Sequence, residues 1–170
     1  MTFQLSLDIA APPITVFDFI ADFTNMTRWY SAVVRVERVG DATGPGALYE
    51  VDRQLPGRAA RNLVRIETYQ CGREVTFRSL NGPTPFVYRY LVEPNSSASR
   101  LTLEGTITGE GLPGPAALVG PLAERLFKSG MRDNLGVLKE ILEGQAAGQV
   151  HDPCDSPHTS NVSGIGPSSR

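Results

Sequence analysis

The chain has 170 residues and a formal net charge of −2, with 41% hydrophobic and 20% charged residues. That length suits one domain and is short for two. The near-neutral balance argues against a broad basic face, so nucleic acid is not an expected partner.

The opening stretch, MTFQLSLDIAAPP, has no positively charged start and carries Asp8 within its apolar run, so it does not read as a signal peptide. No run reaches about 18 uncharged apolar residues, so no transmembrane helix and no stable membrane insertion are expected. Two cysteines, Cys71 and Cys154, cannot build a disulfide framework. A cytoplasmic protein with free thiols is the expectation. Arginine outnumbers lysine 14 to 2, which hints at a GC-rich bacterial source.

Phe3, Leu5, Leu7 and Ile9 alternate with Gln4, Ser6 and Asp8, the period of a half-buried strand. Ala11-Pro12-Pro13 ends it, and Pro13 suits the first turn of a helix. Val16, Phe17, Phe19, Ile20 and Phe23 then recur at helical spacing. A second short helix or turn is predicted over 25–30. Strands follow over 34–39, 47–55, 60–69 and 74–80. Val64, Ile66 and Thr68 share one side of the third of these. Phe86, Tyr88, Tyr90 and Val92 share a face of the next strand, and Leu101, Leu103, Gly105 and Ile107 a face of the last. Turn signals recur about every ten residues, the mark of an antiparallel meander. From 115 to 143 the period is helical, with Leu118, Leu122, Leu126, Phe127, Met131, Leu135, Leu138 and Leu142 as an apolar stripe. Pro121 either kinks this helix or marks where its regular part begins. Beyond Gly144 the composition turns to Gly, Ala, Ser, Pro and Asn, so 144–170 reads as a disordered tail and 1–143 as the domain.

One antiparallel sheet curving around one long helix satisfies these apolar faces. The segment 11–23, APPITVFDFIADF, with Arg28-Trp29-Tyr30 after it and NLGVLKEILE at 134–143, resembles the START-like (SRPBCC) superfamily, in its polyketide cyclase/dehydrase and lipid-transport branch. The resemblance covers roughly 1–143. It implies an α+β helix-grip fold: a curved antiparallel sheet of about seven strands wrapped around a long C-terminal helix, with two short helices after strand 1. It also implies a hydrophobic small molecule, lipid or polyketide-like, held between sheet and helix.

Residues 1–143 contain no histidine, which removes a Ser-His-Asp triad, a Cys-His pair and a histidine-ligated zinc site from the domain. His151, Cys154 and His158 lie in the tail, where ligands must also overcome ordering entropy, so no metal and no cofactor are expected. The stretch 109–114, GEGLPG, matches a GxGxxG pattern. It opens the last element of the chain, however, so no second parallel strand can complete a dinucleotide-binding unit. A turn is the better reading.

Alternation directs Ile66, Phe77, Phe86, Tyr88, Tyr90 and Leu103 inward, and gives Tyr49, Val51 and Arg53 a common face. With Trp29 and with Met131, Asn134 and Leu138 of the long helix, these form the candidate lining. Such a surface, mostly apolar with a few polar tips, is what small-molecule pockets use. A buried tyrosine hydroxyl needs a partner, so Tyr88 and Tyr90 call for an internal polar group, a water or a ligand oxygen. No inward pair of carboxylates emerges for acid–base work, and no catalytic residue is assigned. The alternative to a binding module is a cyclase, aromatase or dehydratase that works by positioning, with Tyr88, Tyr90, Arg53 and Asn134 as donors. A monomer or homodimer fits either reading.

Overall fold

A computed structural model describes residues 1–55, 57–96, 98–108 and 121–146. Strand β1, Thr2–Ile9, alternates as its sequence requires, and the proline pair after it starts α1, Pro13–Ala21. Proline lacks only an N–H that the first helical turn would leave unbonded. A 3-10 helix follows over Phe23–Arg28, capped by Asp22, whose Oδ1 accepts from the Thr24 amide at 3.1 Å. Then come β2 (Val33–Val39), β3 (Leu48–Leu55), β4 (Arg58–Gln70), β5 (Glu74–Ser79), β6 (Phe86–Asn95) and β7 (Ala98–Ile107). The closing helix, α2, spans Pro121–Ala146.

All seven strands lie in one antiparallel sheet in the order β1-β7-β6-β5-β4-β3-β2. Hairpins join β2 through β7 in sequence, and β1 pairs with β7 from Thr2↔Thr106 to Ile9↔Ser99. The first two strands therefore sit at opposite edges, and α1 with the 3-10 helix carries the chain between them. The sheet is curved and open, with the long helix against it, as the helix-grip expectation requires.

The two faces of the sheet divide by chemistry. The inner side belongs to a single apolar cluster that includes Leu5, Val64, Leu101 and Leu103 of the sheet and Met131, Leu135, Leu138 and Leu142 of α2. Burial of such side chains stabilises by about 1.5–3 kcal/mol each. The outer side carries cross-strand ion pairs: Arg78 with Glu67, Arg100 with Asp8, Arg61 with Asp52, and Arg89 between Glu74 and Glu104. These pairs are largely exposed and contribute little individually. Their effect is to leave the outer face wetted while the inner face packs.

Several expectations are corrected in detail. The described part of α2 begins at Pro121. Residues 115–120 lie outside the described residues. The helix continues through Ala146, so 144–146 are helical and only 147–170 of the expected tail lie outside the described residues. Leu126 is 66% exposed rather than part of the apolar stripe, because it sits about 100° around the helix from Phe127. In β4 the register shifts between Ile66 and Thr68. This bulge breaks the strict alternation and lets the Tyr69 ring meet Phe17 edge-on at 5.2 Å. Cys71 is disulfide-bonded instead of free. Among the described residues no helix is long and apolar enough to cross a membrane.

The β1–β7 pairing depends on a glycine. Phe3 lies opposite Gly105, and a Cβ at position 105 would fall inside the Phe3 ring. The ring in turn meets Phe127 of α2 edge-on at 5.2 Å and Tyr88 at 6.2 Å. Gly105→Ala is therefore expected to cost about 1–3 kcal/mol through overpacking, read as a lower denaturant midpoint. An unchanged midpoint would contradict this packing.

Candidate ligand-binding site

One end of the inner face is polar. Arg53 projects inward from β3 beside Val33 of β2 and Ala60 of β4, and only 6% of it is exposed. Its anchor is Asn62, fully buried on β4. Asn62 Oδ1 accepts from Arg53 Nε at 3.0 Å and from Nη2 at 2.6 Å. The Asn62 amide nitrogen donates to Ser79 Oγ at 2.9 Å and to the Asn81 carbonyl at 2.7 Å. Arg53 Nη2 also donates to the Pro83 carbonyl and to Thr84 Oγ1, each at 2.7 Å.

The turn between β5 and β6 is shaped around this contact. Gly82 has φ +89°, and a Cβ there would collide with the Arg61 carbonyl and the Asn62 side chain. Thr84 adopts φ 50°, a region that costs a non-glycine residue free energy and persists only when the surroundings enforce it. In return, three oxygens of Pro83 and Thr84 face one guanidinium nitrogen.

Aromatic rings surround the cluster. Arg53 Cζ lies 5.2 Å from the centroid of Phe86, within cation–π range. Phe86 stacks on Tyr88 at 4.6 Å. The Tyr88 hydroxyl shares a 3.3 Å hydrogen bond with that of Tyr30. Tyr30 stacks on Trp29 at 5.8 Å, and Trp29 meets Tyr90 edge-on at 6.4 Å. From α2, Asn134 Oδ1 accepts from the Ser31 amide at 3.2 Å, which fixes the Trp29-Tyr30 segment against the helix.

The electrostatics are unusual in one respect. Outer-face arginines such as Arg61, Arg78, Arg89 and Arg100 have carboxylate partners. Among the described residues, Arg53 has none. Burial lowers its pKa from the ordinary guanidinium value, and the groups acting against that are the phenols of Tyr88 and Tyr30. Burial also raises the Tyr30, Tyr88 and Tyr90 phenols. Among the described residues Arg53 Nη1 makes no hydrogen bond. The Tyr90 hydroxyl is sealed and has no partner.

All twelve predicted residues are buried: Trp29, Tyr49, Arg53, Ile66, Phe77, Phe86, Tyr88, Tyr90, Leu103, Met131, Asn134 and Leu138. Arg53, Phe86 and Tyr88 come together, and Trp29, Phe77 and Tyr90 form a neighbouring group. Tyr49 and Ile66 border a separate groove of about 240 Å³ between α1 and the β2–β3 loop. Three contributors were missed. Asn62 occupies the inward parity of β4 with Val64 and Ile66, so its position was legible. Tyr30 follows the predicted Trp29 directly. Thr84 carried no signal, since its role comes from a left-handed turn. Among the described residues no cluster could hold a metal, and the histidines and the GEGLPG stretch lie outside them.

Known proteins share this architecture. The family model described as polyketide cyclase/dehydrase and lipid transport matches residues 1–143. No curated protein sequence matches the chain. A solved structure from Thermus thermophilus is 20% identical, with a TM-score of 0.71 over 88% of this chain and 100% of its own. The ZhuI aromatase/cyclase from Streptomyces sp. R1128 is 16% identical, with a TM-score of 0.70 over 88% and 99%. A START superfamily protein from Mycobacterium smegmatis is 15% identical, with a TM-score of 0.67 over 84% and 97%. At these identities the likeness establishes the fold.

Two outcomes test the cluster. Asn62→Ala removes both acceptor contacts to Arg53 Nε and Nη2 and leaves the buried cation short of partners, so a loss of about 3–5 kcal/mol is expected in denaturant unfolding. A loss below about 1 kcal/mol would contradict the anchoring role. The raised phenols predict the alkaline limit. Their folded values lie above the unfolded one, so their contribution is complete below about pH 10 and is lost as pH rises toward the folded values. Phenolate absorbance for Tyr30, Tyr88 and Tyr90 should appear only together with loss of tertiary structure. Reversible ionisation of these three in the native protein near pH 10 would contradict their burial.

Proposed function

The chain belongs to the polyketide cyclase/dehydrase and lipid transport family, and on that footing we propose that it binds a hydrophobic or aromatic small molecule, lipid or polyketide-like, between the sheet and α2. The observation that carries this reading is Arg53: an inward guanidinium with no carboxylate partner among the described residues, set in a wall of aromatic rings. Structural burial of an unpaired cation is costly. A fold with no need for one would place an apolar side chain there, as β3 does at Val51. The cost is consistent with a group retained for recognition.

The division of labour follows from the chemistry. The apolar rings offer area to a flat or extended ligand, at about 25 cal/mol per Å² removed from water. Phe86, Tyr88 and Trp29 are the proposed contacts, with Met131 and Leu138 of α2 in the same buried core. Arg53 and the Tyr30–Tyr88 hydroxyl pair supply orientation, and that pair retains one proton after its mutual hydrogen bond. Asn134 acts through Ser31, holding the Trp29-Tyr30 segment in place. A second reading is favoured by the same donors. Arg53 and a tyrosine hydroxyl could stabilise a developing oxyanion in a cyclisation or dehydration. No inward carboxylate stands beside them for proton transfer, so binding is the primary reading.

The test uses the neutral probe N-phenyl-1-naphthylamine. Its fluorescence should rise with the protein and fall when long-chain acyl compounds or polyaromatic ketones compete. No displacement by any member of such a panel would overturn the reading. Arg53→Met gives a second outcome. It removes a desolvated cation while keeping an apolar side chain, so it should cost less stability than Asn62→Ala and still weaken ligand binding. A loss of stability equal to that of Asn62→Ala, with binding unchanged, would assign Arg53 a purely structural role.

A further inference from the structure

From the hydrogen-bond inventory of Arg53, we propose that the ligand carries a single carboxylate on an otherwise apolar body, and that this carboxylate docks on Nη1 of Arg53. The inference rests on the binding reading above and adds the chemical class of the ligand's polar end.

The inventory is asymmetric. Nε and Nη2 are held by Asn62 Oδ1, the Pro83 carbonyl, the Thr84 carbonyl and Thr84 Oγ1. Every one of these acceptors is neutral. They fix the plane of the guanidinium and leave its charge uncompensated. Nη1 then presents two N–H donors that no described residue uses. A free guanidinium N–H beside an uncompensated positive charge matches a carboxylate oxygen through a charge-assisted hydrogen bond. An alcohol or ketone would satisfy one donor and leave the charge unbalanced. A cationic ligand would place like charges together in a desolvated site.

The surroundings reinforce this choice. The Tyr30–Tyr88 pair has one hydroxyl proton to donate after its own bond, and it offers no anion. Phe86 covers one face of the guanidinium and keeps water off it, which strengthens any charge-assisted bond at the open edge. No Asp or Glu among the described residues competes for Nη1. The ligand's remaining body meets Phe86, Tyr88 and Trp29, which favours an acyl chain or fused rings over a small polar acid.

The experiment compares three amphiphiles of one chain length on the full chain: dodecanoate, dodecan-1-ol and dodecylammonium, each by displacement of N-phenyl-1-naphthylamine. Dodecanoate is expected to bind roughly ten- to a hundredfold more tightly than the alcohol, the scale of a charge-assisted pair, and dodecylammonium more weakly than either. In Arg53→Met the advantage of the carboxylate over the alcohol should collapse to within about threefold, while the alcohol itself changes little. Equal binding of dodecanoate and dodecan-1-ol to the unmodified protein would overturn the carboxylate proposal and leave the binding reading intact. Binding by none of the three would overturn the carboxylate proposal, and only failure of the wider panel above as well would overturn the binding reading. If Arg53→Met fails to fold, the comparison on the unmodified protein decides by itself, and Arg53→Lys should keep the preference for the carboxylate at reduced strength.

Discussion

A buried guanidinium held by neutral oxygens is the contact on which this structure turns. Arg53 leaves water without meeting a carboxylate among the described residues, and Asn62 compensates with two hydrogen bonds from one oxygen. That single amide also ties β4 to Ser79 of β5 and to the turn that follows. Removing it would free a cation and loosen three neighbouring segments together. The outer face shows the ordinary solution, in which Arg61, Arg78, Arg89 and Arg100 each sit beside an acid. On the inner face, buried Arg53 departs from that solution.

The rest of the fold serves this arrangement. Antiparallel alternation sends Tyr49, Val51 and Arg53 to the same side, so the guanidinium arrives at the end of an otherwise apolar row. Gly82 and the left-handed Thr84 bring backbone oxygens to it, at the cost of a strained residue. Phe86 lies beneath it, and the Trp29-Tyr30 segment closes over Tyr88, fixed by Asn134 of α2. Gly105 leaves room for Phe3, which links β1, Tyr88 and Phe127 of the helix. Each device is a local rule of backbone or packing, and together they give one polar end and one aromatic wall.

Much of the architecture was legible in the sequence because it depends on period. Two-residue alternation located the strands, and the stripe from Phe127 to Leu142 located the long helix. Inward parity likewise found Arg53, Phe86, Tyr88 and Tyr90. What escaped was whatever breaks the period or acts through partners. The bulge after Ile66 redirected Tyr69, and no residue type announces it. Leu126 looked like part of the stripe but fell on the solvent side. Tyr30 and Thr84 act through a hydroxyl pair and a turn conformation, neither of which a single sequence displays. Asn62 is different. It was missed although its parity with Val64 and Ile66 places a polar residue on an apolar face.

Arg53 thus stands at the centre as a sequestered cation, and its Nη1 is the proposed docking point for a ligand. Nitrogen NMR of the arginine side chains reads this directly, since each Nε–H reports its own surroundings. Arg53 should show slow exchange with water and a distinct shift, and that resonance should move on addition of dodecanoate while those of Arg78, Arg89 and Arg100 stay in place. Rapid exchange at Arg53, or movement confined to the outer-face arginines, would contradict the account.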